Sequence, residues 1–455
     1  MPKRKDKTQS PEERLQEMLA PESEQPYPVP ENWCWTTIDA INQYQGMSLN
    51  PRENPDKKYE LYSVPSLDNN FPEIVLGKNI GSTKQLVQKG DVLLCKINPR
   101  LNRVWQVHAY TSDDLLASSE WIVVRNHNLN AGYLRFYFQS SSFRKYMLSN
   151  VSGVGGSLMR AKPKYVGTYP IPIPPLPEQQ RIVDRIESLF SKLDAAKTKA
   201  QAVIDSHESR KAAILHKAFT GELTKKWREK KNQSFAEWTQ TDIKHVVDSI
   251  RYGTSEKSDY SNTGTPVLRI PNIGAGNIDF SDIKFLSQEP DDASLVHKGD
   301  ILIIRSNGSR ELVGNAALIG DLDRTYAYAS FLIRLRPSDC INPNFLVLYL
   351  NSIDARRQMF NSAKSSAGIN NINSQEIGRI SFHMPGLEEQ EAIVSLIENI
   401  LDKEQESVDI ANIMIERVDA MKKYILNRAF RGELGTNDPS EESAVGMLMQ
   451  DIEEK

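Results

Sequence analysis

Apolar and small residues recur at Ile182, Ile186, Leu189, Leu193, Ala196, Ala200 and Val203, with spacings of 4-3-4-3-4-3. This is the a/d seam of a heptad helix, sustained over roughly three heptads. Pro177 stands in a first turn, where no amide partner is needed, and Glu178 sits where the helix dipole favours an anion. The pattern continues less cleanly through His207 and Arg210 to Ile214 and stops near Thr220 and Gly221. A helix from Pro177 to Thr220 would be about 65 Å long at ~1.5 Å per residue. A second seam runs through Ile393, Ile397, Ile400, Ala411, Met414, Val418, Met421 and Ile425, interrupted by Glu404 and Ser407. The interruption predicts either a loosened mid-section or a polar pair that fixes register. Each seam must be buried, and the nearest partner for one is the other. Because the intervening chain occupies the connections, the two helices most simply run antiparallel.

The two seams belong to a repeat. Leu176, Glu178, Gln179, Ile182, Val183, Ile186 and Glu187 return as Leu387, Glu389, Gln390, Ile393, Val394, Ile397 and Glu398, each 211 residues later. Lys211, Ile214, Leu215, Ala218, Phe219, Gly221, Glu222 and Leu223 return at the same offset, from Lys422 to Leu434. Two copies of one unit predict a pseudo-twofold molecule.

Between the helices the period changes. Val92–Ile97 reads as a strand after the turn Lys89-Gly90-Asp91, and Trp121–Val124 as another. Tyr133–Phe138 begins an amphipathic helix that continues toward Met147. Tyr169–Pro175 alternates proline with other residues and must be extended. The second half repeats the order. Lys298-Gly299-Asp300 precedes Ile301–Ile303 at an offset of 209, and Asn342, Leu346, Tyr349 and Ser352 match Asn130, Leu134, Tyr137 and Ser140 at 212. The drift is what loop insertions would cause. The predicted organisation is a short helix and proline-rich linker (1–30), an α/β domain (31–175), a long helix and linker (176–235), a second α/β domain (236–386), a second long helix (387–435) and an acidic tail (436–455). In the tail, Val445, Leu448, Met449 and Ile452 suggest a short amphipathic helix.

Composition narrows the class. A chain of 455 residues is too long for one core. It has no run of ~18 apolar residues, and its first residues lack the apolar segment of a secretion signal, so neither a membrane span nor export is expected. Cys34, Cys95 and Cys340 are few and scattered, which argues for a reducing, cytoplasmic setting and against disulfides or a zinc site. The net charge of −3 hides an asymmetry: residues 387–455 carry 7 Lys+Arg against 17 Asp+Glu, whereas residues 31–175 carry 16 against 11. The basic first half permits a polyanionic partner.

Two α/β units alternating with two long helices, the first opening Pro-Leu-Pro-Glu-Gln-Gln at 175–180 and closing Ala-Phe-Thr-Gly-Glu-Leu at 218–223, resemble the DNA-specificity (S) subunit of type I restriction–modification systems. The resemblance covers about residues 31–435; the second copy differs in opening with Gly386-Leu387-Glu388-Glu389-Gln390. It implies an α+β fold in which two similar target-recognition domains are separated by two long antiparallel coiled-coil helices. Each domain would read one half of a split, asymmetric sequence in double-stranded DNA, and the helical rod would set the unread gap. The subunit would be non-catalytic. It would recruit two modification subunits that methylate adenine with S-adenosylmethionine and, through them, the restriction subunits that use ATP and Mg²⁺.

The residues agree with that expectation. The chain contains no GxxxxGK-S/T phosphate loop; Val151–Ser157 is glycine-rich but lacks its spacing and lysine. Asn98-Pro99-Arg100-Leu101 is similar in outline to the Asn-Pro-Pro-aromatic motif of adenine methyltransferases, but has arginine and leucine where the second proline and the ring belong. No metal-ligand spacing is present. Base reading needs forked donors and acceptors, Arg for guanine and Asn or Gln for adenine. The loop after the first Lys-Gly-Asp strand offers Lys96, Asn98, Arg100, Asn102 and Arg103; its equivalent offers Arg305, Ser306, Asn307, Ser309 and Arg310. A second slot, before each long helix, holds Gly155, Gly156, Ser157, Arg160, Lys162 and Lys164 in one copy and Gly368, Asn370, Asn371 and Asn373 in the other. Glycines there admit close backbone approach, and the basic residues attract phosphate. A third candidate is Tyr252–Lys257 with Arg269 and Asn272. Solvated hairpin tips, flexible connections and core-supporting turns are the plain alternatives for these three slots. Two other functional readings compete: a coiled-coil scaffold whose α/β units bind proteins, and a single-chain nuclease or methyltransferase.

Overall fold

The computed structural model describes residues 10–149, 151–152, 159–362, 364–366 and 369–453. It divides into two compact units, Met1–Lys199 with Ile413–Lys455, and Ala200–Asn412. The boundaries differ from the expected ones because each unit combines a globular part with stretches of both long helices.

The first long helix is interrupted. It runs over Leu176–Asp205 and resumes at His207–Phe219, where one helix from Pro177 to Thr220 was expected. Ala202 O keeps its ladder bond from Ser206 N (3.1 Å) while also accepting from the Ser206 hydroxyl (2.5 Å), and Val203 O accepts from Arg210 (3.1 Å), so side chains compete for carbonyls at the break. The second long helix is continuous over Leu387–Ala429. It begins 211 residues after Leu176, despite lacking proline there.

In the first unit, Ile182 and Ile186 share a core with Leu426, Ala429 and Phe430. Lys422 pairs with Asp194 (2.6 Å) and Lys197 with Asp419 (3.5 Å). Numbers rise on one helix as they fall on the other, so the pair is antiparallel. In the second unit, Leu215, Ala218 and Phe219 share a core with Ile393, Val394 and Ile397, and Arg210 meets Glu404 at 2.6 Å. The polar interruption at Glu404 is therefore an ion pair. Ala200 is buried, while Leu189, Leu193, Val203 and Ile400 are half-buried.

Two seam expectations fail. Met414 is 46% exposed and Met421 52% exposed. The inward face instead runs Ile393, Ile397, Leu401, Glu404, Val408, Ala411, Ile415, Val418, Lys422 and Ile425. Every second position of the strict heptad falls one residue later, at Leu401, Val408, Ile415 and Lys422, as a helix with 3.6 residues per turn drifts from a strict 3.5 repeat. Ala411 and Val418 belong to both registers, which made the wrong one look consistent.

The repeated Glu-Gln pairs are fasteners. Glu178, fully buried, accepts from the Trp33 indole (2.7 Å), Asn437 (2.8 Å) and Thr436 (3.2 Å). Glu389 accepts from the Trp238 indole (2.8 Å), Thr224 (2.7 Å) and Arg228 (2.5 Å). Gln179 accepts from Asn130 N and donates to Pro174 O, both at 2.9 Å; Gln390 does the same with Asn342 N (2.7 Å) and Pro385 O (2.9 Å). Asn130 and Asn342 in turn cap the helices Ala131–Gln139 and Pro343–Leu350. The helix expected to run from Tyr133 toward Met147 breaks at Ser140 and restarts as Ser141–Ser149.

The acidic tail does not stand apart. Helix Ala444–Glu453 packs on helix Pro11–Met18, Ala444 and Leu448 join the core of the first unit, and Arg181 forks onto Glu441 (2.7 and 2.8 Å).

Among the described residues the globular parts are built on short, mostly antiparallel sheets. In the first unit β1 (Val92–Cys95) is flanked by β2 (Val104–Gln106) and β3 (Trp121–Val124). In the second unit β4 (Ile301–Ile304) is flanked by β5 (Ala316–Leu318) and β6 (Leu332–Pro337). Both central strands are buried on both faces, which is why they read as unbroken apolar runs rather than alternating ones.

Candidate nucleic-acid interface

Each central strand is anchored at its start. Asp91 is buried and takes both guanidinium bonds of Arg125 (2.8 and 2.7 Å); Asp300, also buried, takes both of Arg336 (2.8 Å each). These charge-assisted bonds hold both arginines above their ordinary pKa. The Lys-Gly-Asp turns therefore clamp the base of each strand. At the far end of the first strand, burial pushes the Cys95 thiol up.

The far ends carry the candidate reading groups, and in each unit the two expected slots are joined. In the first unit Ala161 N donates to Lys96 O (2.8 Å), Asn98 N donates to Met159 O (2.9 Å), and Ile97 bridges Arg160 antiparallel. In the second, Ile372 N donates to Arg305 O (2.9 Å), and Ser306–Asn307 pairs with Asn371–Asn370. The loop after the central strand and the segment before the long helix thus form one edge of hydrogen-bonded backbone. A third segment joins them: Lys96 N donates to Glu120 O and Arg305 N to Phe331 O, both at 3.0 Å.

The side chains on this edge are differently held. Arg160, 52% exposed, pairs with Glu120 at 3.2 Å. Lys96 and Arg103 are half-buried, and Arg100 is exposed on a 3-10 turn between Asn98 and Asn102, both left-handed. Lys162 lies over the Tyr165 ring at 5.6 Å. In the second unit the Arg305 guanidinium stacks on Tyr252 (4.4 Å) and touches Asn371 Oδ1 (3.4 Å). Asn370 donates to Gly308 O (3.2 Å), and Asn307 Oδ1 accepts from Ser309 N (2.8 Å). Arg310 lies over Phe360 (5.3 Å) and donates to its carbonyl (3.2 Å). Ser157 lies outside the described residues. Arg269 belongs elsewhere: it is largely buried, pairs with Asp282 at 3.0 Å, and helps cap the turn Ile270–Asn272. Tyr252, by contrast, joins the edge through Arg305 and through its hydroxyl, which lies 3.1 Å from Ser374 Oγ.

The third segment was missed because Glu120 and Phe331 lie 17 and 21 residues beyond the last members of the first slots, Arg103 and Arg310, and only strand pairing brings them in. Among the described residues no group of histidine, cysteine or acidic side chains could hold a metal, and no helix is long and apolar enough to cross a membrane.

Comparison with known proteins gives the family of the chain. Residues 41–204 and 236–411 match the profile of the type I restriction modification DNA specificity domain. The chain is 30% identical to the type I restriction enzyme EcoKI specificity subunit of Escherichia coli (strain K12), over 67% of this chain and 66% of that protein. It is 30% identical to the StySPI specificity subunit of Salmonella potsdam, over 66% and 64% respectively. The chain thus spans just under two thirds of the length of these relatives. The crystal structure of the HsdS subunit from Thermoanaerobacter tengcongensis has the same fold, with a TM-score of 0.66 at 21% identity over 90% of this chain and 100% of that one. With one profile matching it twice and a specificity subunit 30% identical over 67% of its length, the chain belongs to the type I restriction–modification DNA-specificity subunits.

Proposed function

We propose that each unit reads one half of a bipartite, asymmetric DNA sequence. The long helices set the spacer between the halves and dock two modification subunits. The chain itself is non-catalytic in this reading. S-adenosylmethionine, ATP and Mg²⁺ belong to the modification and restriction subunits, and the complex works in the cytoplasm. One observation carries the reading: in both units two loops far apart in sequence, each rich in Arg, Lys or Asn, are joined into one backbone-paired edge at the free end of a clamped strand. Phosphate contacts position a protein on the duplex, and forked side chains at base edges specify sequence. Arg305, held 4.4 Å over the Tyr252 ring, offers such a forked group already placed on the edge.

Arg305→Ala tests it. In the complex with modification subunits, methylation of a library of duplexes should relax at one position of one half-site, a loss of about 1–3 kcal/mol in discrimination there, with the other half unchanged. Equal weakening on every sequence would make Arg305 a phosphate contact and remove it from base reading.

A further inference from the structure

The third segment of the reading edge is built alike in both units and filled with opposite chemistry. Ser118–Trp121 and Ala329–Leu332 are tight turns, closed by Trp121 N to Ser118 O (3.1 Å) and Leu332 N to Ala329 O (2.9 Å). Glu120 and Phe331 occupy the third position of these turns, and each offers its carbonyl to the amide of Lys96 or Arg305. The slot is therefore the same one, 211 residues apart. In the first unit it holds a carboxylate that fixes Arg160. In the second it holds a phenylalanine that is 57% exposed.

A lone exposed apolar side chain is ordinary on a protein surface. The setting of Phe331 is what distinguishes it. Arg305 Nη1 donates to the carbonyl of the adjacent Ser330 (3.5 Å) and Arg305 N to that of Phe331 (3.0 Å), so the turn that carries the exposed ring is bonded directly to the residue that carries the forked cation. In the major groove only thymine presents a hydrogen-bond acceptor, O4, beside an apolar group, its 5-methyl. We propose that Phe331 is a specificity-determining residue that packs against the 5-methyl group of a thymine in the half-site read by its unit. Glu120, in the same slot of the other unit, is a positioning residue that aims Arg160. This rests on the reading of the edge as base-contacting.

The test uses the whole complex with its modification subunits and duplexes covering the target. Each thymine is replaced in turn by deoxyuridine, which lacks only the methyl. The intact protein is expected to methylate one such duplex about 3- to 5-fold more slowly, the change being a single buried carbon. Phe331→Ala is expected to treat thymine and deoxyuridine alike at that position, and Phe331→Leu to keep most of the difference. The exposure of Phe331 leaves the fold unaffected, which an unchanged melting temperature checks. Indifference of the intact protein to every methyl, or an equal loss by Phe331→Ala on all sequences, overturns the proposal. Altered base preference in Arg305→Ala with none in Phe331→Ala removes this inference alone. No altered preference in either variant removes the base-reading role of the edge.

Discussion

Asp91 and Asp300 anchor the strands that lead to the two candidate edges. Each carboxylate is about 1% exposed and takes a forked guanidinium together with one backbone amide, Gln88 N (2.9 Å) or His297 N (2.8 Å), and Asp300 also lies 3.9 Å from Arg334. A buried carboxylate deprived of its partner keeps its desolvation cost and loses the attraction that offset it. Arg125→Ala is therefore expected to destabilise the first unit by about 3–5 kcal/mol, read as a lowered denaturant midpoint. A change under about 0.5 kcal/mol would show that water replaces the guanidinium at no cost. The clamp was half legible. Lys-Gly-Asp before an apolar run marks a turn into a strand, but the partners, Arg125 and Arg336, lie 34 and 36 residues on and are identified only by pairing. The same limit hid Glu120 and Phe331. Arg305, Asn307 and Asn371 stood out because forked side chains in loops are recognisable by type, whereas a phenylalanine at a strand end looks like core until its exposure is known.

At the scale of elements, the long helices were the most legible part, because a seam leaves a periodic trace in the residues themselves. Their detail was not. Extending a strict heptad from Ile393 through Ile400 put Met414 and Met421 inward, yet both are about half exposed, since every second seam position falls one residue later, at Leu401, Val408, Ile415 and Lys422, while Ala411 and Val418 stay inward. Stability measurements separate the two registers. Ile397→Ala is expected to cost about 2–5 kcal/mol, whereas Met414→Ala and Met421→Ala should stay within about 0.5 kcal/mol in the isolated chain. Comparable losses at all three positions would restore the strict heptad. The break at Ser206 was likewise invisible in the apolar pattern. It arises from hydroxyl and guanidinium groups competing for carbonyls, and Arg210 is tied at the same time to Glu404.

For the whole molecule, the repeat at an offset of 211 carried the reading of a doubled architecture, and one profile matching at residues 41–204 and again at 236–411 agrees with it. The central claim is that two related edges read two half-sites across a spacer set by the long helices. It is tested most directly by mapping methylation in cells carrying the partner subunits, with the natural chain and with a chain bearing one four-residue turn inserted in both long helices. Four residues add about 6 Å of helix, one to two base pairs at ~3.4 Å each. The account predicts a split motif with a constant gap for the natural chain, and for the inserted chain the same two half-motifs with the gap lengthened by one or two base pairs. A continuous motif, or an unchanged gap after insertion, would contradict it.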